Sequence, residues 1–144
     1  MEPKICKIIS NSPQKTQKVG EVLAKTILEE KNRKTAFVLA LVGDLGGGKT
    51  TFLQGFAKGL GFRQKITSPT FIIMRRIENF YHLDCYRLEK PEDLLSLGFK
   101  ELITDPKNII AIEWADKVRE VLPKNTVFLH FKFLDDKKRE IVLK

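Results

Sequence analysis

The apolar and polar positions of this chain change period several times, and each change predicts an element. Residues 4–10 have the reading of a short strand, and Asn11-Ser12-Pro13 that of a turn carrying helix-capping residues. From about residue 14 to 30, Val19, Val22, Leu23, Ile27 and Leu28 recur at helical spacing, which predicts an amphipathic helix burying that stripe. Residues 36–42 form an unbroken apolar run, as expected of a parallel strand buried on both faces. Residues 51–60 return to helical spacing, with Gly61 placed to stop the helix. Residues 71–77 and 80–86 read as a hairpin turning at Glu78-Asn79. Residues 91–97 suit a helix with proline in its first turn; Gly98 interrupts it, and residues 99–103 allow another short turn. Residues 108–114 are a second buried-type strand containing a late acid, and residues 115–121 look helical as far as Pro123. Residues 126–133 and 138–143 alternate around Asp135-Asp136 as an antiparallel hairpin. Strands alternating with helices predict an α/β domain over residues 1–144, three-layered, with a parallel centre and antiparallel hairpins.

Between the first buried strand and its helix stands Gly43-Asp44-Leu45-Gly46-Gly47-Gly48-Lys49-Thr50, followed by Thr51. This fits G-x-x-x-x-G-K-[ST], the phosphate-binding P-loop, and makes the expected fold P-loop NTPase-like. The chemistry needs this composition. Glycines let successive N–H groups turn inward as an anion nest. Lys49 reaches the β- and γ-phosphates, and the Thr50 hydroxyl can sit on Mg²⁺. The helix starting here points its positive dipole end at the phosphates. The alternative, a glycine-rich turn with an incidental Lys-Thr, does not account for the flanking strand and helix. No Asn-Lys-x-Asp guanine-reading motif is present, so ATP is preferred over GTP.

Hydrolysis needs further groups. Glu113 stands at the end of a strongly apolar strand, where ligands bind in open α/β sheets, and is the best candidate for a metal or water contact. In His82-Leu83-Asp84-Cys85-Tyr86-Arg87, strand alternation sets His82, Asp84 and Tyr86 on one face, a row expected to line a polar site. The competing reading is a satisfied polar network pinning the hairpin. Asp84 is able to orient a water or a metal-bound ligand, and Arg87 to neutralise phosphate charge or hold a carboxylate. Thr70, about twenty residues after the P-loop, is placed like the threonine of a nucleotide switch, against a plain turn residue. His130 lies in an apolar strand and reads as structural.

Composition narrows the class. With 144 residues, 42% hydrophobic and 31% charged, the chain resembles an ordinary soluble domain with a real core. No apolar run approaches a membrane span, and residues 1–10 lack a signal-peptide core. Two distant cysteines, Cys6 and Cys85, and two histidines argue for a reduced cytoplasmic protein and against zinc. The net charge of +8 is carried by scattered lysines: a solvated surface, or an attraction for ATP, RNA or an acidic partner. No RNA-reading aromatic motif is present.

Four blocks in order, Gly43 to Thr51, Ser-Pro-Thr-Phe at 68–71, His-Leu-Asp-Cys-Tyr-Arg at 82–87 and Ile-Glu-Trp at 112–114, together resemble the TsaE (YjeE) family of small bacterial P-loop ATPases. The resemblance covers nearly the whole chain. It implies that the P-loop (Gly43, Asp44, Leu45, Gly46, Gly47, Gly48, Lys49, Thr50, Thr51) binds ATP and that Thr50 and Glu113 hold Mg²⁺. It implies catalytic roles for Asp84, Lys49, Thr70 and Glu113. It implies that Trp114 flanks the nucleotide, that Thr16, in a Thr-x-x-x-Gly pattern ending at Gly20, lies near the adenine, and that Arg139 lies at the nucleotide's edge. It further implies an accessory ATPase of tRNA threonylcarbamoyladenosine synthesis, with TsaD-like and TsaB-like partners, tRNA contact through the complex, and neither membrane nor DNA partners. Three departures stand out: a short hairpin between Thr70 and His82, Cys85 for a larger apolar residue, and Ala115 where proline is common. A small-molecule kinase is the alternative, needing an acceptor pocket and an arginine-bearing lid. A stand-alone RNA-binding module is a third reading, supported only by charge.

Overall fold

The computed structural model describes residues 6–43, 48–63 and 74–144. Its strands are β1 (Cys6–Ser10), β2 (Phe37–Gly43), β3 (Met74–Ile77), β4 (Phe80–Asp84), β5 (Ile109–Glu113), β6 (Val127–Phe133) and β7 (Arg139–Leu143). Among the described residues β1-β7-β6 neighbour one another in that order, and so do β2-β5-β4-β3. β5 runs parallel to both β2 and β4, while β3 with β4, β6 with β7 and β1 with β7 are antiparallel. The parallel centre and antiparallel hairpins are those the periodicity predicts. The chain divides into two compact units: Met1–Lys31 with Gly43–Ser68 and Leu129–Lys144, and Asn32–Val42 with Pro69–Phe128.

In the first unit, α1 (Pro13–Glu29) begins where Ser12, in extended backbone, accepts the Lys15 N–H at 3.1 Å, with proline in the first turn. Its buried face shares Ile27 with the predicted stripe, with Val19 and Leu23 half-buried, but is otherwise different. Thr16, Gly20, Ala24 and Ile27 are buried, whereas Val22 is 52% and Leu28 47% exposed. The reason is the approach of α2 (Lys49–Gly59). A Cβ on Gly20 would stand 2.3 Å from the Phe52 carbonyl oxygen, and one on Gly55 1.9 Å from that of Gln17. Backbones this close admit only small residues along the seam, so the bulky apolar positions are displaced to its rims. α2 also buries Phe52, Leu53, Phe56 and Ala57, and the Phe52 ring meets Phe131 of β6 edge-on at 5.5 Å.

In the second unit the core gathers alternate residues of the parallel strands. Val38, Ala40 and Val42 of β2, Ile110 and Ile112 of β5, and Tyr81 and Leu83 of β4 share one cluster. Cys85 joins it, with Leu94 of α3 (Glu92–Leu95), Phe99 of α4 (Phe99–Leu102), and Ala115 and Val118 of a 3₁₀ segment, Ala115–Val121. β5 is buried at every position, so its last residue, Glu113, ends a strand fully enclosed by its neighbours. Each large aliphatic side chain enclosed here contributes about 1.5–3 kcal/mol of transfer free energy, which holds the strand ends in fixed positions.

Candidate functional site

The P-loop motif begins at the last residue of β2 and runs into α2. Gly43 has φ +134°, and a Cβ there would lie 2.0 Å from the Phe131 carbonyl oxygen, so only glycine fits. Gly48 caps α2 in the left-handed region at φ +97°. Space is ordinary there, so backbone conformation alone demands glycine. Lys49 is only 7% exposed, and its Nζ donates to the Gly43 carbonyl at 2.8 Å. The cation therefore bridges back to the first residue of its own motif. Thr50 and Thr51 follow in the first turn of α2, half-buried. Asp44, Leu45, Gly46 and Gly47 lie outside the described residues, as do Thr70 and the whole Ser-Pro-Thr-Phe block.

Two further residues flank Gly48 in the same unit. A Cβ at Gly48 would be 3.6 Å from Cγ2 of Thr16 and 3.8 Å from Cγ of Arg139. The Thr16 hydroxyl is turned away from that contact. It lies 2.7 Å from the Ser10 hydroxyl, and both reach the Ser12 carbonyl, at 3.3 and 2.9 Å. Arg139 donates to the Asp135 carbonyl at 2.6 Å and lies 4.5 Å over the Phe133 ring. The turn before it holds the Asp135 carboxyl below its usual range, chiefly through the Lys137 N–H, which donates to Oδ1.

In the second unit the acids come together. Asp84 and Glu113 are register partners on β4 and β5, each the last residue of its strand. Parallel neighbours in register project to the same face. Asp84 Oδ1 accepts the Tyr86 N–H at 2.9 Å, closing an Asx turn as the chain leaves β4. Glu113 is 3% exposed, and its Oε2 lies 2.7 Å from Nε2 of His82, itself 2% exposed. Within the polar row predicted for this face, His82 is buried and matched by a carboxylate from the next strand. Tyr86 lies beyond the end of β4 and is exposed. Its ring is 5.0 Å from that of Trp114, and Lys117 Nζ sits 5.0 Å over it while donating to its carbonyl. Trp114 takes φ +57°, an unusual left-handed conformation that turns the chain sharply after Glu113. Arg87 is exposed. Burial, with a smaller effect from Asp84, pushes the Cys85 thiol up to about 12.

The family model described as "Threonylcarbamoyl adenosine biosynthesis protein TsaE" matches residues 10–141. The chain belongs to the TsaE family. The tRNA threonylcarbamoyladenosine biosynthesis protein TsaE of Treponema pallidum is 37% identical over 138 residues, 94% of this chain and 97% of that protein. Its Bacillus subtilis namesake is 35% identical over 134 residues, 90% of this chain and 79% of that one. The crystal structure of Bacillus subtilis YdiB superposes with a TM-score of 0.75 at 32% identity, covering 99% of this chain and 86% of that one.

Three features of the site in this TsaE-family chain lie beyond the reach of sequence reasoning. The His82–Glu113 pair is the first, although His82, two residues before Asp84, carries a signal once β4 is known to lie beside β5. The packing of Tyr86 and Lys117 about Trp114 is the second, because both contacts depend on where the chain turns. The third is the setting of Lys49. The motif assigns Lys49 to phosphate, but it does not show that the side chain is buried and donates to the Gly43 carbonyl.

Proposed function

We propose that this chain binds ATP and hydrolyses it with Mg²⁺ as the accessory ATPase of tRNA threonylcarbamoyladenosine biosynthesis, coupling hydrolysis to turnover of a TsaD–TsaB pair. The observation that supports this most directly is Lys49, at the start of α2, held by the carbonyl of Gly43, where the P-loop motif begins. An ammonium in that place neutralises a phosphate chain, and the first N–H groups of α2 add donors. The residues proposed for Mg²⁺ are Thr50 and Glu113. The donor chemistry fits a hard cation: Glu113 and its register partner Asp84 present carboxylate oxygens at strand ends, and Mg²⁺ takes one or two carboxylates with phosphates and waters. When bound, the ion neutralises charge on the phosphates.

The remaining roles belong to the chain's own residues. Asp84 orients the attacking water, Thr70 closes on the γ-phosphate, and Trp114 flanks the nucleotide, with Thr16 and Arg139 at its adenine and outer edges. The Asx turn at Asp84 and the ring contact of Tyr86 with Trp114 connect Asp84 to Trp114. Turnover is proposed to be slow alone and faster with partners, because a docked partner would exclude bulk water from the site. The chain is proposed to work in the cytoplasm, as one domain, with tRNA contacted through its partners. Among the described residues no helix is long and apolar enough to cross a membrane. The test is a pull-down of TsaD-like and TsaB-like proteins with and without ATP, with ATP turnover measured on the same mixtures. No ATP-dependent association and no stimulation would overturn the coupling role.

A further inference from the structure

We propose that His82 is a positioning residue for Glu113, holding its carboxylate in the orientation in which it serves as a cation ligand. The inference rests on the reading of Glu113 given above and adds a residue to it. Three observations carry it. The Nε2 of His82 lies 2.7 Å from Glu113 Oε2, with both side chains buried. A carboxylate only accepts, so Nε2 carries the proton and donates. The other ring nitrogen, Nδ1, is buried and has no hydrogen-bond partner among the described residues. Leaving such an atom unpaired costs about 1–3 kcal/mol. Packing alone does not account for a ring that bears that cost. Phe80, two residues earlier on the same face of β4, shows that an apolar ring is accommodated on this surface. Imidazole at 82 is explained by what Nε2 does for Glu113.

The register explains the direction of the bond. Glu113 is paired with Asp84, and His82 with Ala111. His82 is thus one diagonal step behind Glu113, toward the middle of the sheet, at about 7 Å along the strand. Its bond draws Oε2 back toward the sheet interior and turns Oε1 away from His82. The ring is enclosed, so it holds Oε2 before any ion arrives. Such outer partners of a metal ligand are worth about 10–100-fold in metal affinity.

The test uses the full chain with ADP present and Mn²⁺ as the probe, followed by electron paramagnetic resonance, with nucleotide affinity in EDTA and thermal melting alongside. Gln places its amide nitrogen near the position of Nε2, whereas Asn reaches only that of Nδ1. His82→Asn and His82→Phe should weaken Mn²⁺ binding about tenfold or more, leave nucleotide affinity in EDTA unchanged, and be rescued by His82→Gln to within about threefold of wild type. A folded His82→Asn protein with wild-type Mn²⁺ affinity would overturn the proposal. So would equal losses in the Asn and Gln variants. Should neither variant lacking a donor at the Nε2 position fold, His82→Gln decides alone: near-wild-type affinity supports the proposal and a tenfold loss sinks it. Glu113→Gln separates the two readings. If it leaves Mn²⁺ affinity intact, Glu113 is not a ligand and the positioning role falls with it. If it lowers affinity and His82→Asn does not, only the positioning role fails.

Discussion

Asp84 and Glu113 leave the sheet side by side, as register partners at the ends of the parallel strands β4 and β5. Adjacent like charges are unfavourable on a sheet face, and each acid here is met by its own donor: the Tyr86 N–H for Asp84, the His82 imidazole for Glu113. The two carboxylates therefore differ in environment. Glu113 is buried and oriented by a ring, and Asp84 is half-exposed and closes a turn. That difference fits the separate roles proposed for them, metal ligand and water-orienting acid.

Asp84→Asn separates charge from architecture. The amide oxygen still accepts the Tyr86 N–H, so the turn and the Tyr86–Trp114 contact survive. ATP hydrolysis measured against added TsaD–TsaB pair should show partner binding retained and stimulated turnover reduced by about 100-fold. Asp84→Ala should lose both stimulation and the turn. Stimulation that survives intact in Asp84→Asn would remove Asp84 from the mechanism.

Lys49→Ala should abolish productive ATP binding, lowering turnover by about 100-fold or more. Because Lys49 is buried against the Gly43 carbonyl, the variant should also lose about 1–2 kcal/mol of stability. Fluorescent-nucleotide titration and a urea melt measure the two effects. Normal hydrolysis by the folded variant would refute the phosphate-binding role.

Gly55→Ala should be destabilising although alanine favours helices, because its Cβ would meet the Gln17 carbonyl at 1.9 Å. Forcing α1 and α2 apart should cost about 1–3 kcal/mol, seen as a lower urea midpoint with an unchanged slope. Val22→Ser, at an exposed position of α1, should stay within about 0.5 kcal/mol of wild type.

Cys85 should resist alkylation in the folded protein, while exposed Cys6 reacts. The Cys85 pKa is raised from 9.0 to about 12 by burial. The native state thus favours the protonated thiol. Its contribution is fully present below pH 9 and is lost as pH rises from about 9 through 12. Thiol counting by mass spectrometry, with and without urea, should give one labelled site and then two. Rapid native labelling of Cys85 would contradict its placement in the core.

Local features are legible in the sequence alone. The order of strands and helices follows from runs and periods of apolar residues. The P-loop is legible because four fixed positions between a buried strand and a helix serve one local chemistry, and Ser12-Pro13 marks a helix start because capping involves only neighbours. Features that depend on a partner distant in sequence emerge from the fold. The face α1 buries was set by Gly20 and Gly55 letting two backbones meet, which a hydrophobic pattern cannot express, since it records side-chain size and not distance of approach. The pairing of His82 with Glu113, thirty-one residues apart, was set by β4 lying beside β5 in a particular register. Alternation assigns a residue to a face, but which side chain stands across from it depends on strand order and register, and these are fixed by the packing of the whole sheet.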